Sequence, residues 1–585
     1  MIKKVLYSAG SFFELRQKNG YFVDKTKYIA KVEGISNPIF LRPRRFGKSF
    51  LCSILHSYYD IAQKDDFEEL FGDTWIGQNP TGQQNQFMVL KLSFSGIESG
   101  PTLAEIETSF KEKCNGEIEN LRLAYAPLLD AMPPIDVNAP VSQNLAMLTR
   151  HIRGKKLPRL FVIIDEYDNF ANQLIVKNQT AMYDKLVDEG SFLKTFFKEL
   201  KEGRQTRGIE NVFITGILPM TIDELASAFN VGSFLTLRPS FETMVGFTQA
   251  EVDALLDEIF EDYAFLRNAP DNMRSVVGEL IKNNYNGYHF VKTGEGSEQT
   301  AVYNTTILMY FLNHLVEEEE ITVHLTDENL KTDIGWMERL RVANAEEAEA
   351  MVNQLAIGET ISYNNYALTN KFNVNKFFDK RFFPNALFYL GLLTRQDDFS
   401  LSFPNLNMYQ VFLEYFNDYN KLDMTNPYKE ALMAFVRDPD LNALFAAYWE
   451  AYIQHLPEAV FTKMNENFYR TTFYHVCMQH LSRYFIWNVE RSYPEGKSDL
   501  EFIGKHNEKF AGIRWVIEFK YYSNTGIKQK LSTDKITLDK FEVQEGDLDQ
   551  IQGYVQGLAR EYPEAKVSQF VIYCFGNQDF RVFAV

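Results

Sequence analysis

The sequence predicts an α/β chain: a parallel sheet wound with helices, a mostly helical segment after it, and a second, smaller α/β domain. Three observations carry this. Short apolar runs alternate with helical spacing over about the first 220 residues, the pattern of a doubly wound sheet. Helical spacing then dominates from about 249 to 420. Near the C-terminus helices give way to strands of the kind FIWNVERSY, SDLEFIG and RWVIEFKYY.

The elements follow in order. Residues 1 to about 37 read as a short strand or loop and then a helix near Lys25 to Val32. Ile39–Leu41 is a short apolar strand, followed by an arginine-rich loop. From Ser49 to Tyr59 the spacing of Phe50, Ile54, Leu55 and Tyr58 is helical. Further strands are expected at Phe87–Phe94, in the run Leu160–Ile164, and at Asn211–Leu218, with helices over 103–125 and 181–201. The unbroken apolar run fits a strand buried on both faces. LFYLGLLTRQDDFSLSFPN reads as helix, strand, turn, strand. Helices are expected over 427–482, then the three strands, a helix around 547–561, and SQFVIYCF as the closing strand.

A length of 585 residues suggests about three or four domains. We set the expected boundaries at 1–250, 251–425 and 426–585. With 49 Phe and 31 Tyr the chain is no disordered polymer. The net charge of −18 argues against a surface that is basic throughout, though not against a local nucleic-acid site. Cys52, Cys114, Cys477 and Cys574 lie far apart, without zinc spacing or a disulfide framework. His475 and His480 are five apart, a poor metal pair, and with His289 they read as packed or surface residues. The acidic run Glu317–Glu320 reads as a solvated helix end. No apolar run reaches about 18 residues, and Glu14 and Arg16 interrupt the start too early for a signal-peptide core. A cytoplasmic protein without membrane contact is the expectation.

The first constellation is LRPRRFGKS. Gly47-Lys48-Ser49 follows a strand and opens a helix, matching the end of GxxxxGK[ST], while Arg42 stands where the first glycine belongs. Gly47 lets the backbone approach a phosphate, and the helix start offers free N–H groups. Lys48 would reach the β and γ phosphates, and the Ser49 hydroxyl would ligate magnesium. Downstream, Ile163-Ile164 ends in Asp165 and Glu166. Asp165 would hold magnesium and Glu166 would polarise the attacking water. Asp168 is at best a supporting acid. Thr215 ends the neighbouring strand and is either a γ-phosphate sensor or an ordinary strand-end threonine.

These residues carry a resemblance. VDKT (23–26), RPRRFGKS (42–49), IIDEYDN (163–169), VFITGILPM (212–220), VGFTQAEV (245–252), YNGYHF (285–290) and FYLGLLT (388–394) resemble the AAA-ATPase-like family, over roughly residues 5–410. In that family the loop without its first glycine is normal. The resemblance implies a P-loop NTPase-type sheet with a helical lid, and ATP with magnesium. It places Arg44 and Arg45 beside the phosphates, and Phe46 and Phe50 count with them among the expected nucleotide-binding residues. It assigns no arginine finger; Arg204, Arg207 and Arg238 stay open.

The second constellation is Gly496-Lys497-Ser498-Asp499-Leu500-Glu501-Phe502, followed by Trp515 to Lys520. The two strands would form a hairpin, and period two puts Glu518 and Lys520 on one face. Asp499 and Glu518 can share a metal ion, while Lys520 orients water or stabilises the phosphorane. An E-x-K strand is by itself a common solvent-facing salt pair. The order Asp, E-x-K strand, helix, strand resembles the PD-(D/E)XK nuclease superfamily over roughly 455–580. Glu490, Gln550, Ile551 and Tyr554 extend the match. That resemblance implies magnesium, with manganese as an alternative, and brings in Glu466 as a helical acid that can join the metal. Lys497 stands near where the superfamily often has arginine, which loses the bidentate fork.

The reading is therefore an ATPase coupled to a metal-dependent nuclease acting on nucleic acid, with DNA the first expectation. Two alternatives stay open: a nucleotide-driven switch, or a protein-remodelling ATPase, whose nuclease-like domain only binds nucleic acid or a partner protein. A homo-oligomer is compatible with either.

Overall fold

The structure is a computed structural model that describes residues 2–7, 9–177, 179–219, 231–270, 272–291, 300–321, 325, 345–358, 360–369, 377, 379–424, 426–461, 463–493, 496–505, 508–534, 537–561 and 565–585. Met220, the last residue of VFITGILPM, lies outside them, as do stretches of the segment expected over 251–425.

Five strands form the first sheet: β1 (Pro38–Leu41), β2 (Met88–Ser93), β3 (Leu160–Asp165), β4 (Ile209–Gly216) and β5 (Ser233–Phe234). Their order is β2-β3-β4-β1-β5 and every pairing is parallel. β1 and β3 are buried along their whole length, as expected for strands covered on both faces. The helix Lys48–Tyr59 follows β1 directly. The helix Leu103–Ala124 starts in a capping box of Thr102 and Glu105.

One expected helix is two. The stretch 181–201 divides into Thr180–Val187 and Phe192–Gln205. Asp188 is extended, Gly190 has φ +85°, and the Ser191 side chain accepts from Lys194 N to start the second helix. The apolar spacing continues across the break, which hid it.

After the sheet, β6 (Phe247–Thr248) pairs antiparallel with β7 (Val302–Tyr303) among helices that include Gln249–Asp262, Met273–Tyr285 and Thr305–Glu318. A small ladder of β8 (Ile361–Ser362), β9 (Thr394–Arg395) and β10 (Ser400–Ser402) follows, in the order β8-β10-β9. The expected helix, strand, turn, strand is there, with β8 added from upstream.

The second sheet runs β11 (Phe485–Tyr493), β12 (Gly496–Gly504), β13 (Ile513–Tyr522), β14 (Lys566–Phe575), β15 (Asp579–Ala584). Only β13 and β14 pair in parallel. Their crossover carries the helix Glu545–Glu561, because parallel neighbours need a long connection. The expected closing strand is followed by one more, β15, which turns back after Gly576.

The largest apolar core runs from Val5 through the lid to Cys574. The lid thus packs on both sheets. Gly391 sits against Pro43 of the arginine-rich loop, and Asn283 donates to Val489 O of β11 at 3.3 Å. All four cysteines are buried thiols. Among the described residues no helix is long and apolar enough to cross a membrane.

Candidate nucleotide site and candidate nuclease site

The strand order puts β4 between β1 and β3, so their C-terminal ends share one crevice, the usual ligand position in an open parallel sheet. Gly47 closes the loop with φ +89°, and a Cβ there would meet only Thr305 Oγ1, at 3.9 Å. Lys48 is buried and donates to the carbonyls of Arg42 (2.9 Å) and Pro43 (2.8 Å). Burial pulls its ammonium below the ordinary lysine range, opposed by Glu166 and Asp165. Ser49 is exposed on the first helical turn.

Asp165 ends β3, and its Oδ1 accepts from the Thr215 hydroxyl at 2.6 Å. Glu166 follows with φ +53°. Burial raises the Glu166 carboxyl, Lys48 lowers it, and Asp165 raises it further. Asp168 is engaged behind them: it accepts from Leu218 N (2.7 Å), Ile217 N and Asn172, holding the chain as it leaves β4, and its charge still acts on Lys48 and Glu166. Beside Gly47 lies a largely apolar cavity of about 140 Å³, lined by Tyr7, Phe22, Phe46, Phe50, Val245 and Met309 among others.

At the other sheet, the register Leu500↔Ile517 sets Asp499 of β12 beside Glu518 of β13. Lys520 Nζ lies 2.9 Å from Glu518 Oε1 and 3.0 Å from Gln550 Oε1. Gln550 Nε2 also donates to Glu518 Oε1, at 2.6 Å. Glu518 Oε2 is buried without a partner. Asp499 Oδ2 accepts from Phe519 N at 2.7 Å, and its Oδ1 accepts from Arg470 at 3.1 Å. Glu466 opens the helix Glu466–Leu481. Burial, and then the charge on Asp499, push its carboxyl up to about 7. The same two causes push Glu518 well up. Among the described residues no group of three or more His, Cys, Asp or Glu is placed to hold a metal ion.

Residues 7–226 match the family model described as predicted AAA-ATPase, and residues 464–584 match that of the PD-(D/E)XK nuclease superfamily. The chain joins an AAA-ATPase-like segment to a PD-(D/E)XK nuclease-like segment. No curated protein matches it. The ATPase match stops short of the resemblance that extended to about 410, so VGFTQAEV, YNGYHF and FYLGLLT lie beyond it.

The structure nevertheless gives those three motifs work in the AAA-ATPase-like segment. Phe46 packs edge-on against Tyr288 (4.8 Å) and Phe290 (5.3 Å), and Gly246 N donates to Phe46 O. Arg42 is buried, with its guanidinium 4.2 Å from the Phe290 ring and bonded to Thr236 O at 2.7 Å. It holds the loop from behind. Arg44 and Arg45 are half-buried, and lid residues Asn304 and Thr306 donate to their carbonyls. Phe50 packs on Phe12 and Phe22.

Arg204 and Arg207 precede β4, at the end of the sheet opposite the crevice, and Arg204 donates to Ile209 O. Arg238 is exposed beyond β5. His475 bonds Gln479 and His480 bonds Met424 O, so they form no metal pair.

In the nuclease-like segment, sequence reasoning missed Arg470, Asn467 and Asp547. Arg470 also donates to Asn467 (2.5 Å) and Glu490 (2.6 Å), and Asp547 Oδ1 lies 3.8 Å from Lys520 Nζ. One signal existed for Arg470: it falls four residues after Glu466, on the same helix face.

Proposed function

We propose that this protein binds and hydrolyses ATP, and that it couples this to metal-dependent hydrolysis of phosphodiesters in nucleic acid, DNA first. The observation that carries the nuclease half is the Glu518 carboxylate: one oxygen is shared by Lys520 and Gln550, and the other is buried without a partner. A buried, unpartnered carboxylate oxygen is costly unless a cation or proton satisfies it. Glu518 and Asp499 would hold magnesium or manganese, with Glu466 at the edge; the ion would supply an acidified water and positive charge. Lys520 orients the attacking water or a phosphate oxygen, and Gln550 ties Lys520 to Glu518, accepting from the one and donating to the other. Arg470 keeps Asp499 aimed at the site.

At the other site, Lys48 exchanges the carbonyls of Arg42 and Pro43 for the β and γ phosphates. Ser49 and Asp165 would hold the magnesium that accompanies ATP. Glu166 polarises the water, and the apolar cavity beside Gly47 receives the base. Arg44 lies near enough to Lys48 and Glu166 to influence both charges, which suits phosphate neutralisation.

A second reading has its own observation. Both Asp499 oxygens are engaged, by Arg470 and by Phe519 N. That arrangement suits a domain that binds nucleic acid, or a partner protein, without cutting. The deciding experiment is cleavage of labelled DNA and RNA substrates with magnesium or manganese, with and without ATP, by wild type and Lys520→Ala. Metal-dependent cutting that vanishes in the variant supports the first reading, and its response to ATP reports coupling. Intact substrates, with ATP still bound, move the assignment to the second.

A further inference from the structure

A cleft of about 470 Å³ opens between the lid and the nuclease-like segment, on the far side of Arg470 from Asp499 and larger than the cavity beside Gly47. Its lining includes Lys282 and Asn283 of the helix Met273–Tyr285, Phe403, and Asn467, Arg470 and Lys497 of the nuclease-like side. Four cations line it against two carboxylates, Glu279 and Glu490. Each carboxylate pairs with a cation of the cleft, Glu279 with Arg491 at 3.2 Å and Glu490 with Arg470 at 2.6 Å, so the surplus charge is that of Lys282 and Lys497. Lys282 and Lys497 are exposed, and neither is ion-paired among the described residues. Two uncompensated lysines in one cleft stand out in a chain of net charge −18.

The cleft is joined to the candidate chemistry through Arg470. This residue is only 8% exposed, and its Nε is buried without a partner. One terminal nitrogen holds Asp499. Glu490, facing it, takes φ +54° within β11, a conformation that costs energy and recurs at functional sites. On the lid side Phe403 is half-buried, 5.0 Å from both Tyr409 and Phe412, and lines the cleft with an aromatic ring of the kind on which bases stack. The volume falls within the range of roughly 300–1,000 Å³ typical of small-ligand sites, the scale of a single nucleotide.

We propose that this cleft binds a nucleotide of a single-stranded nucleic-acid segment beside the scissile phosphate, its phosphate on Lys282, Lys497 and Arg470 and its base on Phe403. The proposal rests on the nuclease reading of Asp499, Glu518 and Lys520 for the position of the scissile phosphate. The binding itself is testable apart from cleavage.

The test is fluorescence anisotropy of a labelled single-stranded oligothymidine with the full chain in EDTA. Wild type, Lys520→Ala, Lys282→Glu, Lys497→Glu, and the remote control Lys198→Glu are compared over a salt series. We expect both cleft variants to bind at least about tenfold more weakly, with a salt slope reduced by about 0.7 for each lost contact. Lys198→Glu should match wild type. Binding by wild type and Lys520→Ala in EDTA, with no cleavage of the same oligonucleotide by wild type once magnesium or manganese replaces the EDTA, would sink the nuclease reading and leave the cleft standing. Absence of wild-type binding overturns the proposal, as does equal behaviour of Lys198→Glu and the cleft variants. Thymidine monophosphate is added as a competitor; cleft variants that lose its competition yet bind the oligothymidine as wild type does overturn the strand in favour of a free nucleotide.

Discussion

The Thr215 hydroxyl donates to Asp165 Oδ1 at 2.6 Å, across two adjacent parallel strands. Both side chains are buried. Thr215 therefore fixes the carboxylate that would share magnesium with Ser49, and it need not touch the γ-phosphate to matter. Thr215→Val keeps the shape and removes the donor. ATP turnover should fall about 10–100-fold, the usual effect of losing a supporting partner of a metal ligand. Nucleotide affinity should stay within a few-fold. Steady-state hydrolysis and equilibrium binding measured on one preparation check this; an equal loss in both would make Thr215 a binding residue.

Arg42 occupies the position of a glycine in the commoner phosphate loop, yet it is a core residue. Its guanidinium lies against Phe40 and Phe290, and Glu242 is 3.9 Å away. Removing one partner of a buried ion pair costs about 3–5 kcal/mol. Arg42→Gly, which restores the commoner motif, should lower the thermal midpoint and weaken ATP binding, and Arg42→Lys should not rescue either. Differential scanning calorimetry with and without ATP tests this. A stable Arg42→Gly with normal affinity would show the loop needs no such support.

Much of this was legible in the sequence where chemistry is local. Gly47-Lys48-Ser49 and Asp165-Glu166 each sit within one strand-to-loop transition, and Glu518 and Lys520 share a face by strand period alone. Arg470 and Asp547 were not legible, because they reach the site from a helix 29 residues before Asp499 and from a helix after β13. No short pattern encodes that convergence. The break at Gly190 was hidden because apolar spacing ran through it, and β15 because it follows a tight turn at what looked like a finished sheet. The buried role of Arg42 depends on Phe290, some 250 residues away, and an arginine in a phosphate loop reads first as a phosphate ligand.

Gly391 offers a test of the lid as part of the nucleotide site. It has φ +80°, and a Cβ there would come within 2.5 Å of Pro43 Cβ. Strain and collision both act on the loop that carries Lys48. Gly391→Ala should weaken ATP binding by about tenfold or more, for a cost of 1.4 kcal/mol or above, with the second sheet intact. Titration calorimetry gives the affinity, and retained oligonucleotide binding shows that the remainder is folded. Unchanged affinity would separate the lid from the loop.

The carboxylates around Lys520 tie stability to pH and metal. Glu466 is raised to about 7 from an ordinary 4.5, chiefly by burial. Between those two values the folded state keeps a proton that the unfolded chain releases. Stability of the metal-free protein therefore falls as pH rises through that window and levels off above it. Glu518 is shifted in the same direction. A bound cation favours the ionised carboxylates, so manganese should raise the thermal midpoint more at about pH 8 than at about pH 5. The net negative charge of the chain also weakens the fold as pH rises, but Glu518→Gln leaves nearly all of that charge in place. The variant should flatten the pH trend relative to wild type and lose most of the manganese response. Melting curves over pH, with and without manganese, check both. A manganese shift that survives in Glu518→Gln would place the metal elsewhere.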